Sequence, residues 1–66
     1  MSTVKVIEIL AESKVSWEDA AQTAVREASK TLRNIKSVYV EHLNTEVENG
    51  KITTWRLNCK ISFTLE

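Results

Sequence analysis

Few residues of this chain are of a type that makes or breaks bonds. Cys59 and His42 are its single cysteine and single histidine. Together they cannot supply the four ligands of a structural zinc site, and one cysteine excludes a disulfide within the chain. Cys59 stands between Leu57 and Ile61 in an alternating apolar run, the setting of a buried, inert thiol and not of an accessible, electropositive nucleophile. His42 has no cysteine or paired-carboxylate motif beside it and reads as a surface or interface residue. Trp17 and Trp55 could stack on a planar ligand, but both fall on apolar faces at the period of their elements, which favours core or interface packing. Glu8, Glu12, Glu41, Glu46 and Glu48 could lend oxygens to a hard cation. Calcium wants about six to eight such oxygens; no EF-hand loop is present, and no spacing singles out one set of carboxylates. Without a Ser-His-Asp order, a phosphate loop or a metal triad, the expected function is binding and not catalysis.

The elements that must position these residues follow from hydrophobic period. Val4 to Ala11 is dense in aliphatic residues, broken only by Lys5 and Glu8, and reads as a strand covered on both faces for part of its length. Glu12 to Val15 reads as a short polar turn. Ser16 is a helix N-cap, with Asp19 placed to reach back in a near capping box and with Glu18 and Asp19 on the positive end of the dipole. Trp17, Ala20, Ala21, Ala24, Ala28, Leu32 and Ile35 recur at helical spacing, so the helix is expected to run through Ile35 with Lys30 and Arg33 in its last turn. The alanines let it lie close to its sheet.

Lys36 to Val47 returns to period two, with Val38 and Val40 sharing a face with Lys36 and His42, and Ser37, Tyr39, Glu41 and Leu43 on the other. Asn49-Gly50 is the signature of a type I′ hairpin turn, which needs positive φ at both central residues. In Lys51 to Leu65 the apolar side carries Trp55, Leu57, Cys59, Ile61, Phe63 and Leu65, and the polar side carries Thr54, Arg56, Asn58, Lys60, Ser62 and Thr64. The expected fold is α+β in β-α-β-β order. One three-stranded antiparallel sheet wraps around one helix, with the third strand in the middle so that every pairing is antiparallel.

At 66 residues this is one domain, spanning 1–66. A chain this short buries only about 60% of the surface its unfolded form exposes. With no disulfide or metal to staple it, self-association is the expected stabiliser. The hairpin strands also outreach the helix, since a strand rises about 3.3 Å per residue and a helix about 1.5 Å, and a partner subunit is the simplest cover for the overhang. The formal net charge is zero with both signs interspersed, which gives nothing to attract nucleic acid or an anionic membrane. No run approaches the roughly 20 apolar residues of a bilayer span. The segment Met1-Ser2-Thr3-Val4-Lys5 lacks a signal-peptide core, so a cytoplasmic setting is expected.

The order strand, turn, helix, long hairpin, with Thr31-Leu32-Arg33-Asn34-Ile35 at the end of the helix and Ile61-Ser62-Phe63 near the C-terminus, resembles the dodecins over essentially the whole chain. The resemblance implies a hollow homo-dodecamer with helices outside and the polar face of the sheet turned inward. It also implies a buffering or storage protein that binds flavin or related compounds at subunit interfaces. Arg56, Asn58, Lys60 and Ser62 would then line or approach the interior.

In the flavin-binding dodecins a tryptophan near the start of the second strand stacks on the isoalloxazine ring. A glutamine nineteen residues later hydrogen-bonds its polar edge. The matching positions here are Ser37 and Arg56. Serine has no π-face, and arginine has donors but no acceptor. Tyr39, on the face of Ser37 about 7 Å along the strand, offers a substitute ring, and Arg56 could grip a phosphate or close the site through an intersubunit salt bridge. Ser37, Arg56 and Tyr39 are thus the candidate contacts for FMN or riboflavin. The words Ser16-Trp17-Glu18 and Gly50-Lys51-Ile52-Thr53 resemble the dodecin branch that lacks the tryptophan and is associated with calcium, which makes a cation-binding shell the alternative and a purely structural oligomer the third reading.

Overall fold

The structure, a computed structural model, describes residues 3 to 65. Met1, Ser2 and Glu66, the ends of the expected domain, lie outside the described residues. Strand β1 spans Val4–Ser13, helix α1 Trp17–Ala28, strand β2 Ile35–Glu48 and strand β3 Lys51–Thr64. The sheet order is β1-β3-β2 with both pairings antiparallel, the arrangement that the alternation and the crossover predict. Asn49 and Gly50 both take positive φ, 52° and 77°, as their turn requires.

The core forms where α1 lies on the sheet. Ala20, Ala24 and Ala28 face Ala11, Leu57, Cys59 and Ile61, with Trp17, Leu32, Ile35 and Val38 packed around them. Alanines at these positions bring the helix axis close to the strands, and Ala20 is fully buried. The helix contacts β1 and β3 chiefly and only grazes β2.

Four features differ from the sequence reading. First, β1 continues to Ser13, because Glu12 and Ser13 pair with Arg56 and Trp55; only Lys14 and Val15 turn the chain toward the cap. The helix covers one face of β1, leaving Val4, Val6 and Leu10 exposed on the other. Second, Ser16 Oγ accepts the Asp19 N–H at 3.0 Å as expected, but no capping box closes. The Asp19 carboxylate accepts from the buried Ser13 hydroxyl at 2.6 Å, and Ser13 Oγ in turn accepts the Ser16 N–H at 3.3 Å.

Third, α1 ends at Ala28 with Ser29 as its C-cap, and Arg26 is the basic residue of its last turn. The Lys30 and Thr31 N–H groups bond back to Glu27 and Ala28 carbonyls in tighter three-residue turns. Asn34, at φ 61°, then redirects the chain in the left-handed conformation that asparagine tolerates. Leu32 and Ile35 still reach the core, which is why their spacing imitates a longer helix.

Fourth, β2 carries bulges. Val40 pairs with Cys59 and His42 with Asn58, so Glu41 has no partner of its own. The extra residue inverts the alternation downstream. Leu43 opposes the buried Leu57 on the helix side, and His42 joins Ser37 and Tyr39 on the polar side. A similar slip at Lys36 separates Ile35 from Ser37.

Candidate functional site

The face of the sheet turned away from α1 carries the candidate site. Register pairs place its residues in rows running β1-β3-β2: Val6, Ser62, Ser37; then Glu8, Lys60, Tyr39; then Leu10, Asn58, His42; then Glu12, Arg56, Asn44. Directly opposed residues of an antiparallel pair share a face, so these rows are continuous across all three strands.

Arg56 is the hub. Its Nε donates to Glu12 Oε2 at 2.7 Å, its Nη2 to Glu46 Oε2 at 2.7 Å, and its Nη1 to Asn44 Oδ1 at 3.4 Å. Nη2 also lies 2.6 Å from Glu12 Oε2. One guanidinium on the middle strand therefore holds a carboxylate from each neighbour, using the fork geometry that lysine lacks. The hydrogen bond from Arg56, and then its charge, hold the Glu46 carboxyl below its usual range, with Lys14 adding a smaller pull. The bonds to Glu46 and Glu12 reinforce the protonated state of Arg56 in return. The salt bridge anticipated between subunits at Arg56 is made inside this chain, and Glu46 is not a merely solvated hairpin charge.

Ser37 and Arg56 are not brought together in one chain. Ser37 Oγ lies 2.6 Å from Ser62 Oγ, and Ser62 stands six positions along β3 from Arg56, about 20 Å at the rise of a strand. Tyr39 lies on the face of Ser37 and opposes Lys60. Its ring is exposed.

The flavin contacts do not fit these residues. Ser37 offers no ring, and its hydroxyl is engaged by Ser62. Arg56 offers no acceptor, and each of its three nitrogens already donates to a carboxylate or an amide.

The carboxylates divide by partner. Glu12 and Glu46 are held by Arg56; Glu41, the bulge residue, reaches Lys60 at 3.5 Å. Glu8 stands opposite Lys60 and Glu48 opposite Lys51. Among the described residues no three His, Cys, Asp or Glu side chains group closely enough to hold a metal ion. The described residues of a single chain thus gather no acidic cluster of the kind that would hold calcium.

Asn44 and the pairing of Glu12 and Glu46 through Arg56 escape a reading by period, because the bulge at Glu41 sets which side chains of β2 reach that face. Cys59 is fully buried, and loss of solvent pushes its thiol up, as expected of an inert cysteine. Trp17 packs on the core and donates its indole N–H to the Asn44 carbonyl at 3.2 Å. No helix among the described residues is long and apolar enough to cross a membrane.

This architecture is shared with known proteins. The chain is 35% identical over 63 residues to the calcium dodecin of Mycobacterium tuberculosis, covering 96% of this chain and 89% of that protein. A solved structure of the calcium-chelating calcium dodecin of the same organism, described as having a novel calcium-binding site, is 36% identical, covers 98% of this chain and 93% of that chain, and superposes with a TM-score of 0.83. The dodecin of Streptomyces coelicolor is 31% identical over the same shares, with a TM-score of 0.92. The family model for dodecin matches residues 3–66, and with the strand order, the register and these relatives it shows that the chain belongs to the dodecin family.

Proposed function

We propose that this chain is a homo-oligomeric binding and storage protein whose cargo is a cation, with calcium foremost, and not a flavin. The observation that carries this reading is the engagement of Arg56 by Glu12 and Glu46, which leaves the position of the flavin-contacting glutamine without an acceptor and with its guanidinium already turned to two carboxylates. Ser37, at the position of the stacking tryptophan, removes the ring contact as well, a loss of about 0.5–1.5 kcal/mol beyond area burial. The whole-length similarity to a calcium dodecin supports the choice of cation. Oxygen ligands would be shared between copies, drawn from Glu8, Glu41 and Glu48, which Arg56 does not hold. The assembly would follow the family as a cytoplasmic dodecamer that catalyses no reaction.

The test has two arms. Added riboflavin or flavin mononucleotide should keep its fluorescence in the presence of the protein, and calcium should raise the melting temperature of chelator-treated protein, because a ligand of the folded state must stabilise it. Strong quenching of flavin by the unaltered chain would overturn the reading. The double substitution Ser37→Trp with Arg56→Gln should create flavin quenching if the interface keeps the dodecin geometry. Unchanged fluorescence would show that more than two contacts separate this site from a flavin pocket.

A further inference from the structure

Asparagine is among the chemically labile residues of a warm protein. Its side-chain amide is attacked by the backbone nitrogen of the residue that follows. The bulk of that residue and the fixing of the local backbone therefore decide which asparagines react. Asn34 precedes Ile35, Asn44 precedes Thr45 and Asn58 precedes Cys59, so a side chain crowds each approach. Asn44 and Asn58 are also fixed within strands, paired to Arg56 and to Leu10 and His42. The Asn34 carbonyl accepts the Thr64 N–H at 3.2 Å, which ties that turn to β3.

Asn49 is the exception in every respect. It precedes Gly50, the one glycine of the chain, and both residues are exposed at the hairpin tip. The β2–β3 ladder ends at the pair of Glu48 with Lys51, so neither turn residue is held in it. A Cβ built on Gly50 would meet nothing within 4 Å, so no neighbour crowds the Gly50 nitrogen.

We propose that Asn49 is a spontaneous modification site, at which the chain turns its own side-chain amide into an acid. The Gly50 backbone nitrogen gives up its proton and bonds to Asn49 Cγ. The bond from Cγ to the side-chain nitrogen breaks, and ammonia leaves with the proton, closing a cyclic imide. Water then opens the ring. Attack at Cγ breaks the new bond and gives aspartate, whereas attack at the backbone carbonyl breaks the original peptide bond and gives isoaspartate. One water is consumed and one ammonia released, with no change of oxidation state. Closing the ring requires rotation about the Asn49 Cα–C bond out of the turn, and an exposed loop tip is where such local opening costs least.

The two products differ in what they do to the hairpin. Aspartate tolerates the positive φ of position 49 as asparagine does. Isoaspartate inserts an extra carbon into the backbone, and the two-residue turn that fixes the strand register is lost. Either product adds a negative charge beside Glu48 to a chain whose formal charge is zero.

The test holds the folded protein warm at mildly alkaline pH and samples it by ion-exchange chromatography and by mass spectrometry of tryptic peptides. A more acidic species is expected to grow with time, and faster as pH rises, because the nucleophile is the deprotonated amide nitrogen. Its mass gain should lie in the peptide of residues 37–51, with fragment ions placing it at Asn49 and not at Asn44. Asn49→Gly, which keeps a Gly-Gly turn suited to positive φ, should lose that species completely. The isoaspartate fraction should melt below the aspartate fraction. A folded chain left unmodified once the same chain unfolded in urea has converted would overturn the proposal, because the turn would then protect Asn49. Preferential conversion at Asn34, Asn44 or Asn58 would overturn it too, as would survival of the acidic species in Asn49→Gly.

Discussion

Glu12 and Glu46 stand on the two edge strands of the sheet and meet the same guanidinium, that of Arg56 on the strand between them. The contact ties the turn end of β1 to the hairpin arm of β2, the strand against which the helix packs least. It also pairs one cation and two carboxylates of the polar face with one another.

Replacing Arg56 by glutamine removes the clamp and leaves two carboxylates facing one another across β3. Exposed ion pairs contribute little, and salt screens them. The Arg56→Gln variant is therefore expected to melt a few degrees lower than the unaltered chain in dilute buffer, with the gap narrowing as salt is added. Thermal unfolding at fixed protein concentration, repeated across ionic strength, measures it. A gap that is large and insensitive to salt would mean that Arg56 acts through packing instead.

The same clamp has a pH signature. Glu46 titrates below its ordinary value of 4.5 in the folded chain. Its contribution to stability is therefore complete above that value and is lost as pH falls through the lower, folded one. The unaltered chain should melt above Glu46→Gln at neutral pH, and the two curves should converge in acid, below pH 4.5. A difference that persists unchanged into strong acid would contradict the charge-assisted bond.

The hairpin turn gives a prediction free of packing. A Cβ added at Gly50 would meet nothing within 4 Å, yet the residue sits at φ 77°. Gly50→Ala is expected to cost ~1–2 kcal/mol through backbone strain alone, read from denaturant unfolding. No change in the midpoint would show that the turn relaxes to another type.

The alanine stripe makes the opposite demand. Ala20 is fully buried between α1 and the sheet, so Ala20→Leu must push the helix outward, at a cost of about 1–3 kcal/mol. Because the overhang depends on partner subunits in the proposed assembly, a fall in native mass should accompany the loss of stability. An unchanged midpoint would mean that the helix is not closely seated.

The sequence was most legible where one signal had one structural meaning. The Asn49-Gly50 turn, the Ser16 cap and the alternation of β3 each behave as their residues dictate. Legibility failed where a local irregularity left the pattern intact. Leu32 and Ile35 keep helical spacing while the chain is already turning, because three-residue turns deliver Leu32 to the same core. A bulge at Glu41 moved His42 and Leu43 to faces opposite those that period two assigns, since one extra residue is invisible to an alternation count. The hub character of Arg56 was hidden for the same reason: its partners come from strands 44 and 10 positions away in sequence, and only the register aligns them. Ser37 and Arg56 match the flavin-contact positions by resemblance, but their separation of about 20 Å along β3 is a property of the sheet.

The central claim, a cation-binding dodecin shell that has lost its flavin contacts, is tested most directly by isothermal titration of chelator-treated protein with calcium. A saturable binding heat at a fixed fraction of an ion per subunit is expected, because ligands are shared between copies. The absence of any heat, with flavin binding measured by the same method, would contradict it.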